Sequence, residues 1–267
     1  MIIIGERLNS SRKAIRVALE NRDEDFLIKE ALNQVKAGAH YLDVNVSALA
    51  EQEIELLKWL VPLLQSRIDL PLSIDSPNPE ALATGLAFHR GRPFLNSLTL
   101  EKKRWTALIP LIKEYKPLVI ALCLDESGLP DSPEKTLELA QRIREGLERE
   151  GIDIASVYFD PLVRPIGVNF KAGVLFIQSL RLIKLKLPDI KTVAGISNVS
   201  FGLPRRSLLN RTLLALAVEA GLDAAIFDPC DIEMMATLRA AQALAGQDIY
   251  LKNFLKFIRE KRSESQG

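Results

Sequence analysis

Tyr41-Leu42-Asp43-Val44-Asn45-Val46, then Ile54, Leu57, Leu60, Val61 and Leu64, then Leu72-Ser73-Ile74-Asp75 form the stretch on which the fold turns. The outer two pieces are short, apolar and β-rich, too brief for helices and bounded by polar residues. The middle piece repeats its apolar residues every three or four positions, the spacing of one buried helix face. A strand, a helix and a strand in succession imply a parallel sheet with its faces covered.

The same alternation extends in both directions. Ile2–Ile4, Phe94–Leu95, Leu118–Leu124, Val157–Phe159, Thr192–Ile196 and Ala224–Phe227 read as further strands, which makes eight. Phe26, Ile28, Ala31, Leu32 and Val35 mark a helix between the first two. Gly38 and Gly221 read as helix stops, and Ser132-Pro133-Glu134-Lys135 as a cap, a first-turn proline and an acidic first turn. Eight such units predict one closed (β/α)8 TIM barrel over residues 1–262; no Gly-x-Gly-x-x-Gly follows the first strand to favour an open dinucleotide-binding sheet. Ile249–Arg262 adds a C-terminal helix with Leu251, Phe254, Leu255 and Ile258 on one side, and residues 263–267 are expected to be a disordered tail.

Composition narrows the function. The 267 residues carry 35 Lys+Arg against 34 Asp+Glu, a net charge of +1, so bulk attraction to nucleic acid or an anionic membrane is not expected. Aromatic residues make up 6%, too few for a base-stacking platform. Two cysteines and two histidines leave little for a disulfide scaffold or a Cys/His metal site. The opening apolar run is too short for a signal-peptide core or a membrane span, so a cytoplasmic protein is expected.

Polar residues recur where the strands stop: Glu6 and Asn9, Asp43 and Asn45, Asp75, Asn96, Asp125, Asp160, Asn198 and Asp228. In a barrel these ends converge on one mouth, where active sites of this architecture lie. Asp228 before Pro229, and Asp125 in Asp125-Glu126-Ser127-Gly128, are explained well enough by turns and caps. Asp43, Asp75 and Asn96 lie in or flush with their strands, where capping explains less. The set is rich in acceptors and amides and contains no His, Cys or Lys. It suits a neutral heterocycle that bears N–H donors, since a carboxylate accepts two parallel N–H bonds and an amide matches mixed positions. A Mg²⁺ site of Asp43, Asp75 and Asp160 is the alternative use of the same oxygens. His40 and His89 precede strands, on the stability face; Cys123, Cys230, Trp59 and Trp105 read as packing residues.

Ile4-Gly5-Glu6-Arg7-Leu8-Asn9, Leu42-Asp43-Val44-Asn45, Ile74-Asp75-Ser76, Asn96-Ser97, Tyr158-Phe159-Asp160-Pro161-Leu162, Gly195-Ile196-Ser197-Asn198-Val199-Ser200, Asn210-Arg211-Thr212 and Gly221-Leu222-Asp223-Ala224-Ala225-Ile226 occur in this order. Together they resemble the pterin-binding methyltransferases that act on methyltetrahydrofolate, most of all those that serve the corrinoid/iron–sulfur protein of the acetyl-CoA pathway. The resemblance spans essentially the whole chain. It implies a pterin-binding barrel, usually a homodimer, that passes the N5 methyl group of methyltetrahydrofolate to a Co(I) corrinoid on a separate protein. It further implies that Asp75, Asn96 and Asp160 bind the pterin ring and that Asn198 lies near N5. Arg206, with Arg205 competing for the part, would contact the folate. Glu6 lines the mouth as a binding residue, and the proton that N5 needs is expected from solvent, through water linked to Asp43 or another mouth carboxylate. Dihydropteroate synthases look similar but carry a Gly- and Thr-rich loop where this chain has Val44-Asn45-Val46-Ser47-Ala48-Leu49. The Asp-x-His-x-x-Gly pattern of corrinoid-binding domains is absent at both His40 and His89, so the corrinoid is expected from a partner. Pterin condensation and a non-catalytic folate-binding subunit are the competing functions.

Overall fold

A computed structural model describes residues 1–264. Eight parallel strands close into a barrel in chain order: β1 (Ile2–Asn9), β2 (Tyr41–Asn45), β3 (Leu72–Asp75), β4 (Phe94–Leu98), β5 (Leu118–Leu122), β6 (Val157–Asp160), β7 (Lys191–Gly195) and β8 (Ala224–Phe227). The wrapping helices are α1 (Lys13–Glu20), α2 (Glu24–Lys36), α3 (Glu53–Gln65), α4 (Pro79–Phe88), α5 (Lys102–Tyr115), α6 (Pro133–Arg149), α7 (Ala172–Lys186), α8 (Arg206–Glu219) and α9 (Ile232–Leu244). The extra helix α10 runs Lys252–Glu264, behind a 3-10 turn at Ile249–Leu251. It therefore starts later than its sequence pattern suggests, and its inward side is Phe254, Phe257 and Ile258, with Leu251 and Leu255 exposed. Tyr250 and Leu251, both at positive φ, break the helix before Lys252 and rotate the face. Of the tail expected to be disordered, residues 265–267 lie outside the described residues.

Strand alternation places the site. Side chains two apart on a strand share a face. The inward positions near the strand starts, Ile4, Phe94, Leu118, Ile120, Tyr158, Val193 and Ala224, pack together as a plug inside the barrel. Phe94 meets Tyr41 and Tyr158 edge-on, at ring-centroid distances of 4.7 and 5.1 Å. Two residues further on, the same inward face turns polar: Ile4 gives way to Glu6, Tyr41 to Asp43, Phe94 to Asn96, Tyr158 to Asp160, and Ile226 to Asp228, while on β7 Val193 gives way to Gly195, which has no side chain. An apolar plug below and a polar ring above follow from one period-two pattern.

Two departures from regular pairing shape the ring. Between Gly5 and Leu8 the register of β1 against β2 slips, so Glu6 and Arg7 together face Asp43. The amide of Arg7 is satisfied by Gln34 Oε1 of α2 at 3.0 Å. That side chain lies so close over β1 that a Cβ on Gly5 would sit 2.4 Å from it. Arg7 turns outward to Glu30 at 2.7 Å and reaches Asp228 at 3.0 Å. At the opposite end His40 Nδ1 accepts from the amide of Ile3, and His89 Nε2 from that of Leu72, so both histidines fasten strand starts.

Candidate active site

The ring divides into two arcs. On the first, from β2 to β6, the polar groups of β2, β3 and β4 are tied to one another. Asp43 Oδ1 accepts from Ser73 Oγ at 2.7 Å and from Asn96 Nδ2 at 3.2 Å. Asn45 Nδ2 donates to Asp75 Oδ2 at 2.7 Å while its own carbonyl holds the turn at Ser47. Asp160 accepts from the amide of Leu162 at 2.7 Å. Asp43, Asn96 and Asp160 are buried and Asp75 is partly exposed.

Burial dominates the electrostatics of this arc. It lifts Asp43 well above the ordinary carboxylate range, with the neighbouring Asp75 adding to the rise. Asp75 is also raised by burial, against the bonds from Asn45 and Asp43. Asp160 is pushed up to about 7 by burial, the Leu162 amide opposing. Asp160 therefore exchanges between neutral and charged forms near neutral pH, and burial favours the neutral forms of Asp43 and Asp75 as well. Among the described residues no group of three or more His, Cys, Asp or Glu is disposed to hold a metal ion.

The second arc, β7 through β8 to β1, is open. A cavity of about 200 Å³ lies here, lined by Glu6, Ser197, Arg206, Asn210, Asp228 and neighbours. Glu6 Oε1 accepts from Ser197 Oγ at 2.7 Å, and burial pushes its carboxyl up to about 7 against that bond. After β7 the chain forms a single 3-10 turn, Ile196–Ser200, that presents Asn198. Asn198 is exposed, and its side-chain amide has no hydrogen-bond partner among the described residues. A Cβ on Gly195 would stand 2.9 Å from Asn198 Nδ2, so the side chain folds back over the strand end into space that only glycine leaves.

Arg206 braces this turn: its Nη2 donates to the Ser197 carbonyl at 2.9 Å and its Nε to Ser200 Oγ at 3.1 Å. Ser200 Oγ in turn donates to Asn210 Oδ1 at 2.6 Å. Arg205, the competitor in sequence, is exposed in the left-handed conformation ahead of α8. Asp228 and Asp125 both make turns, to the amides of Cys230 and Ser127, and both also carry ion pairs, with Arg7 and Arg142.

The structure thus brings Glu6, Asp43, Asp75, Asn96, Asp160 and Asn198 to one mouth, with Arg206 at its edge. Reasoning from strand ends misses Ser73, Gly195, Ser197 and Asn210. Period-two spacing from Asp75 would have found Ser73, and Asn210 stood in a quoted motif without a role. Arg104 had no local signal; from α5 it donates to the carbonyls of Ser97 at 2.7 Å and Ser76 at 2.9 Å, joining the loops after β4 and β3. A larger cavity, about 840 Å³, lies outside the barrel between α2, α9 and α10, where Arg7 of β1 and Pro229 and Cys230 after β8 reach it.

Residues 5–228 match the family described as pterin binding enzyme, and the chain belongs to that family. A methylcorrinoid:tetrahydrofolate methyltransferase of Eubacterium limosum is 33% identical over 97% of each chain, which sets this protein among the methyltransferases of the family. A methionine synthase of Mycobacterium tuberculosis is 30% identical over 93% of this chain but only 22% of its own length. The fold is also that of dihydropteroate synthases: TM-score 0.67 with the Xanthomonas albilineans enzyme, at 19% identity over 91% and 94% of the chains, and 0.65 with the Yersinia pestis enzyme, at 15% over 92% and 93%. Among the described residues no helix is long and apolar enough to cross a membrane.

Proposed function

We propose that this enzyme transfers the N5 methyl group of methyltetrahydrofolate to the Co(I) corrinoid of a separate protein. The observation that carries the reading is the wall of Asp75, Asn96 and Asp160, polar side chains from three strands whose carboxyls burial pushes toward their neutral forms, with the exposed amide of Asn198 beyond it on the same mouth. In this reading the wall takes the pyrimidine edge of the pterin. Asp43 and Asn45 act through it, fixing the orientation of Asn96 and Asp75.

Transfer leaves N5 without its methyl group, and N5 departs poorly as an anion, so it must be protonated as the C–N bond breaks. Asn198 Oδ1 accepts the N5–H bond that forms, which strengthens as positive charge develops on N5. Arg206, Ser200 and Asn210 hold the turn that aims this amide, and Arg206 is also placed for the folate beyond its pterin. The same groups serve the reverse transfer, the sense in which the Eubacterium limosum relative is named. Among the described residues every strand belongs to the barrel, and the corrinoid is assigned to a carrier that docks at the open mouth. The corrinoid/iron–sulfur protein is the proposed carrier and a homodimer the proposed assembly.

The test mixes the pure protein with methyltetrahydrofolate and Co(I) cobalamin under anaerobic conditions and follows loss of the Co(I) absorbance. Protein-dependent methylation is expected, faster when the corrinoid is presented on its iron–sulfur carrier. Folate binding without methyl transfer to free or carried corrinoid would make the protein a binding subunit. Turnover of a pterin pyrophosphate with p-aminobenzoate would make it a condensing enzyme.

A further inference from the structure

We propose that Glu6 is the acid that protonates N5. The assignment rests on the methyltransferase reading above and supplies the proton that reading requires.

Glu6 continues the inward face of β1 two residues beyond Ile4 of the plug, so its carboxyl enters the barrel and not the helical shell. It stands on the β7–β8–β1 arc, across the ring from Asp75, Asn96 and Asp160. A pterin gripped at its pyrimidine edge by those three turns N5 toward this arc. Ser197, whose Oγ donates to Glu6 at 2.7 Å, is the residue before Asn198, so acid and amide flank the same point.

The carboxyl also meets the two demands of a reusable acid: it holds a proton near neutral pH, and it borders a cavity through which water can return one. Asp43, also raised by burial, does not border that cavity. It is 3% exposed, enclosed by Ser73, Asn96 and Asp75, and lies on the arc that holds the other end of the pterin.

The step balances. The O–H bond of Glu6 breaks and an N5–H bond forms while the N5–methyl bond breaks, its carbon going to the electron pair of Co(I). N5 keeps the pair of the broken bond and shares it with the arriving proton. The carboxylate left behind regains a proton from water in the cavity, and in the reverse transfer it accepts the N5 proton.

Charged groups face Glu6 from each neighbouring element. Arg12 comes from the start of α1, Arg206 from α8, Asp228 and Asp231 from the β8–α9 turn, and Asp43 from β2. The variants must therefore separate Glu6 from all of them. Single-turnover methyl transfer and methyltetrahydrofolate affinity are measured from pH 5.5 to 8.5 for the wild type, Glu6→Gln, Glu6→Asp and Asp43→Asn.

The wild-type rate is expected to fall as pH rises through about 7, where the acid loses its proton. Glu6→Gln is expected to lower the rate by about 10²-fold or more and to flatten the profile, with affinity changed by less than about threefold. Glu6→Asp keeps a pH-dependent, slower rate; Asp43→Asn, which loosens the hold on Asn96, weakens folate binding, and its rate at saturating folate still falls as pH rises through about 7. Wild-type rate and profile in Glu6→Gln would overturn the assignment. So would loss of the profile in Asp43→Asn alone, or parallel collapse of affinity and rate in both Glu6 variants, which would make Glu6 structural. A wild type that binds folate but transfers no methyl group overturns the methyltransferase reading instead, and the acid with it.

Discussion

The two arcs of the barrel mouth are made of similar residues and behave differently. From β2 to β6, Asp43, Asn45, Ser73, Asp75 and Asn96 hydrogen-bond to each other, and their geometry is set before any ligand arrives. From β7 to β1 the turn is just as firmly held, by Arg206 and Asn210, yet the residue it presents, Asn198, is exposed and its side chain bonds to no other group among the described residues. In the proposed reaction the first arc binds and the second acts, because an amide with no partner in the protein is free to strengthen its bond to N5 in the transition state.

The sharpest way to break the contrast is Asn198→Ala. Single-turnover kinetics should show kcat reduced on the order of 10²–10³-fold, with folate affinity nearly unchanged. Equal losses in affinity and rate would place Asn198 with the binding arc.

Next in size is the response of the empty protein to pH. Asp160 and Glu6, one on each arc, are raised by burial from 3.8 and 4.5 to about 7. The folded state therefore favours their neutral forms. That stability is complete below about pH 4 and is lost as pH climbs to about 7, by about 3–4 kcal/mol for each group. Urea denaturation should show the folate-free protein less stable at pH 7.5 than at pH 5. Asp160→Asn should remove about half of the difference, and an unchanged slope in that variant would show that Asp160 is already charged.

Asp160→Ala tests the binding arc directly and should weaken folate binding by about 2–3 kcal/mol, since it strands the donors of the pterin. Calorimetry that finds unchanged affinity would remove Asp160 from the wall. The smallest effect belongs to Gly195→Ala. Its methyl group would displace the Asn198 amide, and the expected outcome is a kcat loss of about tenfold with affinity intact, from a site misplaced by an ångström or less. A normal kcat would show that the turn absorbs the methyl group.

How far the arcs could be read beforehand differs as well. Strand-end residues such as Asp75, Asn96 and Asp160 are legible because their strands are short and their polarity interrupts an apolar run. The eightfold alternation is legible because every unit repeats the same two periods. The open arc was harder. Gly195 and Ser197 act through one turn after β7, whose residue types any turn contains, and Asn210 holds that turn from α8, more than ten residues on. The bulge that lets Glu6 and Arg7 share one partner leaves no mark in the residues themselves, and the helix break at Tyr250 lies inside an amphipathic pattern that looks continuous.

The aromatic plug of Tyr41, Phe94 and Tyr158 has a consequence for the order of events. It closes the barrel from below, so the pocket is a cup and not a tunnel. Everything that enters must leave by the same rim. A corrinoid carrier seated on that rim shuts the folate in, and a folate that arrives second finds the door occupied. In the proposed reaction this makes the pterin the first guest and the last to depart, a compulsory sequence enforced by the floor of the barrel and not by any residue at its mouth.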